Sequence, residues 1–343
     1  MNRFNRRDFV RTASMGGISL GLAGNLKPLL DINSFEGGKV GIIGLDTSHS
    51  VAFTKALNSA DAGPEFGGYR ITAAYPRGSR DIKSSAERIP GYTEEVKNLG
   101  VEIVNSIEEL LARVDVVLLE TNDGRLHLEQ ALPVFKSGKR MFIDKPVAAS
   151  LRDTIAIFEA AKNYNVPVFS SSSLRFEKVT QEIAGGSIVK VLGADTYSPA
   201  TIEQTHPDLF WYGVHGVEML FTLMGTGCKS VSRIYTENTD IVTGLWNDNR
   251  IGTFRGIRSG IYDIGGTAFG EKANLSLGKD HGYNPLLVKI IEFFKTGVVP
   301  VAPAETIEIF AFMAAADESK FKGGAAVEIE EVLKKATEEA RKL

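Results

Sequence analysis

The chain has a single cysteine, Cys228, among 343 residues, so no disulfide framework can form within it. It also lacks any excess of base: 39 Lys and Arg stand against 42 Asp and Glu, for a net charge of −3. That balance, with no basic stripe interleaved with aromatics, argues against a nucleic-acid surface and favours a small neutral or anionic ligand. No stretch approaches the roughly 20 consecutive apolar residues of a stable membrane span. What is present is 43% apolar residue, ordinary for a soluble globular protein and ample for a core. At this length two domains are expected.

The N-terminus has a texture of its own. Asn5-Arg6-Arg7-Asp8-Phe9-Val10-Arg11 resembles a twin-arginine export signal, and the uncharged, Gly-rich stretch Thr12 to Leu26 suits its apolar region. Loss of segment 1–26, which carries a net +3, would leave the remainder at −6. The expectation is a periplasmic or otherwise exported protein with signal and linker over 1–34. No A-x-A pattern marks a cleavage site.

From residue 35 to 170, short apolar runs alternate with amphipathic segments. Lys39–Gly44, Tyr69–Ala74, Val101–Val104, Val114–Leu119, Arg140–Ile143 and Val166–Phe169 read as strands. Val51–Ala60, Ser84–Ile89, Ser106–Arg113, Leu128–Ser137 and Leu151–Tyr164 read as helices, with Ser106 and Glu109 forming a capping box and Gly138 ending the fourth. Strict alternation implies a doubly wound parallel sheet, the Rossmann arrangement. Over 171–343 strand-like segments follow one another: 188–197, 231–235, 240–246, 251–256 and 260–269. Helical segments at 211–224, 285–296, 304–320 and 327–343 flank them, which implies an α+β domain with a mainly antiparallel sheet.

The first strand-turn-helix, Gly41-Ile-Ile-Gly44-Leu-Asp46-Thr47-Ser48-His49-Ser50, is where a dinucleotide pyrophosphate would meet a helix N-terminus. Aligned on Gly44, the second glycine of G-x-G-x-x-G is Asp46 and the third is His49. Two readings stay open. The amides together with Thr47 and Ser48 hold the pyrophosphate while Asp46 turns away as an N-cap, or the loop is only a capped helix start. A metal held by Asp46 and His49 is a third idea, but two ligands are too few to favour it, and no metal is expected. After the second strand no acid follows to bind a ribose diol. Arg77, Ser79 and Arg80 suit a 2′-phosphate instead, so the cofactor is NAD or NADP with a lean toward NADP.

Glu120-Thr121-Asn122, then His127-Leu-Glu-Gln-Ala-Leu, Ser137-Gly138-Lys139-Arg140 and Asp144-Lys145-Pro146 closely resemble the Gfo/Idh/MocA family of glucose–fructose oxidoreductase and inositol dehydrogenase relatives. That family has a small-residue loop, H-x-x-x-A-L, A-G-K-H-V and E-K-P. The similarity continues through Leu174-Arg175-Phe176 and Gly213-Val214-His215-Gly-Val-Glu218, and it covers residues 38 to 330. The resemblance implies hydride transfer to or from a sugar, sugar acid or cyclitol. Lys145 would polarise the substrate oxygen and His215 would be the base. Thr121, Asn122, His127, Asp144 and Lys145 would join Gly44, Asp46, Thr47, Ser48, His49 and Arg77 around the cofactor. Arg175, Trp211, Tyr212 and His215 would face substrate, and Pro146 would shape its turn, with a cis bond as one way. His127 is expected to cap or pack under the loop, and His206 and His281 to be loop residues. Copies would pair as dimers or tetramers through the second-domain sheet.

The chain departs from that family at Asp46, at Asp144 for Glu, at Glu218 for Asp, and at Trp211, where many members carry an Asp four residues before the histidine. These departures keep two rivals open: a non-catalytic carbohydrate-binding relative that lost its cofactor, and a lyase or hydrolase that uses transient oxidation by a bound cofactor.

Overall fold

The computed structural model describes residues 37–278 and 282–343; the expected export signal and His281 lie outside the described residues. Six strands form the first sheet: β1 (Lys39–Ile43), β2 (Arg70–Tyr75), β3 (Glu102–Ile103), β4 (Val116–Leu119), β5 (Met141–Ile143) and β6 (Val168–Ser170). Their order is β3-β2-β1-β4-β5-β6 and every pairing is parallel. The order reverses between β1 and β4, so a crevice opens beyond their carboxyl ends.

The connecting helices are α1 (Ser48–Asn58), α2 (Lys83–Asn98), α3 (Ile107–Leu111), α4 (His127–Lys136) and α5 (Leu151–Asn163). Ser106 caps α3 by accepting from the Glu109 amide at 3.0 Å, but the Glu109 carboxylate takes the Asn105 amide, one residue outside a strict capping box. Helix α2 is much longer than Ser84–Ile89. It runs through Pro90 on an exposed face, where the Thr93 hydroxyl bonds the Ile89 carbonyl at 2.6 Å.

Two short segments, Ser173–Phe176 and α6 (Lys178–Ala184), lead to the second sheet. Its strands are β7 (Val191–Pro199), β8 (Cys228–Tyr235), β9 (Thr239–Trp246), β10 (Ile251–Ile257), β11 (Gly265–Gly270), β12 (Asn274–Ser276) and β13 (Val327–Glu328), in the order β12-β11-β7-β10-β9-β8-β13. All pairings are antiparallel except β7 with β10. Helices α7 (Val214–Met224) and α9 (Pro303–Phe321) pack on one face of this sheet.

Two later helices tie the halves together. The apolar face of α8 (Asn284–Thr296), including Leu286, Ile290 and Phe293, enters one cluster with Val40, Ile42, Leu118 and Phe169 of the first sheet. Arg140 holds the end of α8 through the Phe294 carbonyl at 2.5 Å, where a cation suits the helix dipole. Helix α10 (Ile329–Ala340) lies against α5 and α9. No helix among the described residues is long and apolar enough to cross a membrane.

Candidate active site

The Gly44–Ser48 loop begins with a glycine that nothing can replace. Gly44 has φ +90°, and a Cβ there would fall 2.4–2.5 Å from Thr121. The close approach joins the ends of β1 and β4. Thr121 is thereby buried between strands instead of facing a ligand.

Asp46 is not the helix cap. Thr47 is, accepting from the His49 amide at 3.4 Å. The Asp46 side chain is fully buried and turned away from α1. One oxygen accepts from the Ser79 amide and the other from the Asn122 amide, both at 3.0 Å. Burial raises its pKa, and the two amides oppose that rise. The carboxylate therefore ties the loops after β1, β2 and β4, while Thr47 and Ser48 stay at the open N-terminus of α1. With no acid in the first turn, that terminus fits an anionic pyrophosphate.

Two cavities flank this tie. The first, of 280 Å³, brings together Thr47, Ser48, His49, Asn122, Lys145, Trp211, Tyr212 and His215. Tyr212 is 37% exposed, and the Lys145 ammonium lies 5.7 Å from its ring centre. The second, of 770 Å³, lies between the loops after β2 and β4, with Arg77, Arg80, Asp81, Asp123 and Arg125 on its walls. Asn122 faces the first cavity and Asp123 the second, so a ligand as long as a dinucleotide would cross between them.

Ser79 is not free for a phosphate, because its hydroxyl binds Asp123 at 2.8 Å and Asp81 at 2.9 Å. Of the three residues expected to hold a 2′-phosphate, Arg77 and Arg80 stay exposed. Arg125 holds Asp81 down at a pKa of about 2. Neither Asp81 nor Arg125 stood out in the sequence, because their pairing spans 44 residues.

Around Lys145 and His215, each residue has a supporting partner. The Lys145-Pro146 bond is cis. The Lys145 amide donates to Asp144 Oδ1 at 2.8 Å. Asp144 is fully buried, out of reach of a cofactor, with its other oxygen 2.8 Å from His49 Nδ1. Burial opposes its ionisation, but His49 and Lys145 carry its pKa below the usual carboxylate range. Glu120, also fully buried, is pushed well above that range by burial and by the charge of Asp144.

His215 comes from the first turn of α7, with Nδ1 2.7 Å from the Ser172 hydroxyl. Burial, then the nearby Lys145 and His49, hold its pKa well below 6.5, so it is neutral at physiological pH. Ser172 in turn gives its amide to Glu218 at 2.8 Å.

Two further expected site residues, Arg175 and His127, lie elsewhere. Arg175 does not face the cavity. It is buried behind α7, bonded to Glu218 at 2.8 Å and Glu305 at 2.6 Å. His127 is fully buried, with its ring nitrogens on the Val147 and Thr121 carbonyls, so it braces the loops without reaching a ligand. His206 lies in a loop, as expected, and is buried there. Its ring is tilted against Trp211 with centres 4.9 Å apart, and its Nε2 lies 3.6 Å from Asp123.

Residues 39–172 match the Gfo/Idh/MocA family model, described as an oxidoreductase family with an NAD-binding Rossmann fold. A 122-residue stretch is 31% identical to 1,5-anhydro-D-fructose reductase of Ensifer adhaerens, covering 34% of this chain and 36% of that protein. Matched stretches span no more than 36% of the curated relatives' own lengths. A probable dehydrogenase from Thermotoga maritima superposes with a TM-score of 0.70 at 19% identity, over 86% of this chain and 99% of that one. Scyllo-inositol dehydrogenase from Lactobacillus casei, solved with NAD(H) and scyllo-inositol, gives 0.67 at 14% identity with the same coverage. At these identities the likeness is one of fold.

Proposed function

We propose that this chain is an NAD(P)-dependent oxidoreductase acting on a hydroxyl of a sugar, sugar acid or cyclitol. The observation that carries the reading is the convergence of Lys145 and His215, from the two halves of the molecule, on one cavity beside the open end of α1. A carbinol can release hydride only as its O–H proton departs. Neutral His215 is fit to take that proton, its Nδ1 being turned to Ser172. The Lys145 ammonium then stabilises the charge developing on the oxygen. Trp211 and Tyr212 offer aromatic faces to a ring bearing C–H bonds. The nicotinamide, when bound, accepts or supplies the hydride. Arg77 and Arg80 on the second cavity support a preference for the 2′-phosphate of NADP.

Titration of the purified chain with NADH and NADPH, followed by cofactor fluorescence, tests this. Saturable micromolar binding, tighter for NADPH, is expected. If neither binds, the carbohydrate-binding reading takes its place, and sugars should then be screened by thermal shift.

We further propose export by the N-terminal signal, checked by N-terminal sequencing of the periplasmic fraction. Pairing of copies through the outer face of the second sheet, where Leu192, Leu245 and Ile251 are exposed, is checked by sedimentation.

A further inference from the structure

We propose that His49, Glu120 and Asp144 form a binding site for a divalent transition-metal ion on the wall of the active-site cavity. This goes beyond the oxidoreductase reading and does not rest on it.

The backbone brings the three together. Leu119 and Ile143 are paired on adjacent parallel strands, so the next residues, Glu120 and Asp144, emerge side by side. The ladder continues through them, with the Glu120 amide on the Ile43 carbonyl at 2.7 Å and the Asp144 amide on the Leu119 carbonyl at 2.8 Å. His49 reaches them from the first turn of α1. Its Nδ1 lies 2.8 Å from Asp144 Oδ2 and 3.9 Å from Glu120 Oε2, and one ligand atom from each residue falls within 4.8 Å of the others. Atoms bound about 2.0–2.2 Å from a shared zinc ion lie roughly 3–4 Å apart, so small shifts complete the site.

The side chains are unusually short of partners. His49 is 5% exposed, and Glu120 and Asp144 are 0% exposed. Neither Glu120 oxygen has a hydrogen-bond donor, nor does Asp144 Oδ2, and His49 Nδ1 is also without an aligned hydrogen bond. His49 and Asp144 face each other at 2.8 Å, and Glu120 beside them has no donor on either oxygen. Carboxylates buried without donors are costly, and such charges are ordinarily paired or bound to metal. One cation would engage an atom of each of the three residues at once.

The donor set of one imidazole and two carboxylates suits zinc or manganese better than calcium, which takes oxygen ligands, or copper(I), which takes sulfur. Three protein ligands leave at least one coordination position open. His49 lines the cavity with Lys145 and His215, which places the site directly beside it. Two of the three ligands stand at departures from the family pattern: His49 at the third glycine and Asp144 at the glutamate of E-K-P.

The test uses the full chain, stripped with chelator and titrated separately with zinc and manganese, by calorimetry and thermal melting. Protein purified without chelator is also assayed for metal content. One equivalent of zinc or manganese per chain is expected, with a rise in Tm of about 5 °C at a hundredfold excess over Kd. Glu120→Gln and His49→Gln should each weaken binding at least tenfold. Cobalt should give the visible bands of a four- or five-coordinate ion in the wild type and lose them in both variants. Glu120→Gln keeps the side chain's size and introduces no charge, so it guards against loss of binding through misfolding. Failure of both metals to bind or stabilise the wild type would overturn the proposal. Undiminished binding in both variants would overturn it too, by placing the metal elsewhere.

Discussion

A Cβ added to Gly78 would lie 2.1 Å from the Asp46 carboxylate, so the glycine after β2 exists to admit the acid in the loop after β1. The two substitutions should therefore be coupled. Asp46→Ala removes two amide bonds to a buried acceptor and should cost about 2–4 kcal/mol. Gly78→Ala should be severe alone and mild when Asp46 is already Ala. Urea unfolding of the four-member cycle measures this; simple additivity would show that the loops adjust independently.

Lys145→Met keeps much of the side chain's length and removes its charge. Turnover should fall about 10²- to 10³-fold while Tm changes little. Steady-state kinetics and calorimetry on the same preparation check both halves, and retained kcat would remove Lys145 from the chemistry.

Arg175→Gln should behave as a stability mutation. It leaves Glu218 and Glu305 facing a site without its cation, at a cost of about 3–5 kcal/mol. Denaturant titration should show the loss. A variant of unaltered stability and raised KM would restore the substrate role that its place in the sequence suggested.

His206 makes folding sensitive to acid. Burial lowers its pKa from 6.5 to about 4, with Asp123 opposing that shift and Arg125 adding to it. Between these values the unfolded chain takes up a proton that the folded chain refuses. Its contribution is full above pH ~6.5 and is lost as pH falls toward 4, by up to about 3 kcal/mol. The difference in stability between wild type and His206→Gln, followed from pH 7 to pH 4, should narrow or reverse on acidification. A constant difference would show that His206 protonates equally in both states.

Much of the fold was legible because period and punctuation are local. Alternating apolar runs and helical segments predict the parallel sheet, and Gly138 ends α4 at its expected place. Pro90 misleads about α2 because the amide it lacks would serve only the Ala86 carbonyl, and on a face open to water the helix runs on without it. The destination of α8 was not legible either, since an apolar helix face does not specify which sheet it will cover. Lys145 and His215 could be picked out by motif. Glu120 could not be assigned a role, because a single acid at a strand end acquires meaning only when Asp144 and His49 arrive from other elements. Arg175 was misplaced because Glu305, its partner, is 130 residues away.

The packing of α8 on the first sheet also orders events during synthesis. Residues 39–170 leave the ribosome well before 284–296, the helix that buries Val40, Ile42 and Phe169. Until then one face of the nascent sheet is left without that cover, so the amino-terminal half cannot reach its final state as an autonomous unit. A chain cut after residue 172 would keep all six strands yet present a sticky surface to its neighbours, and chaperone demand should peak while the middle of the protein is still being made.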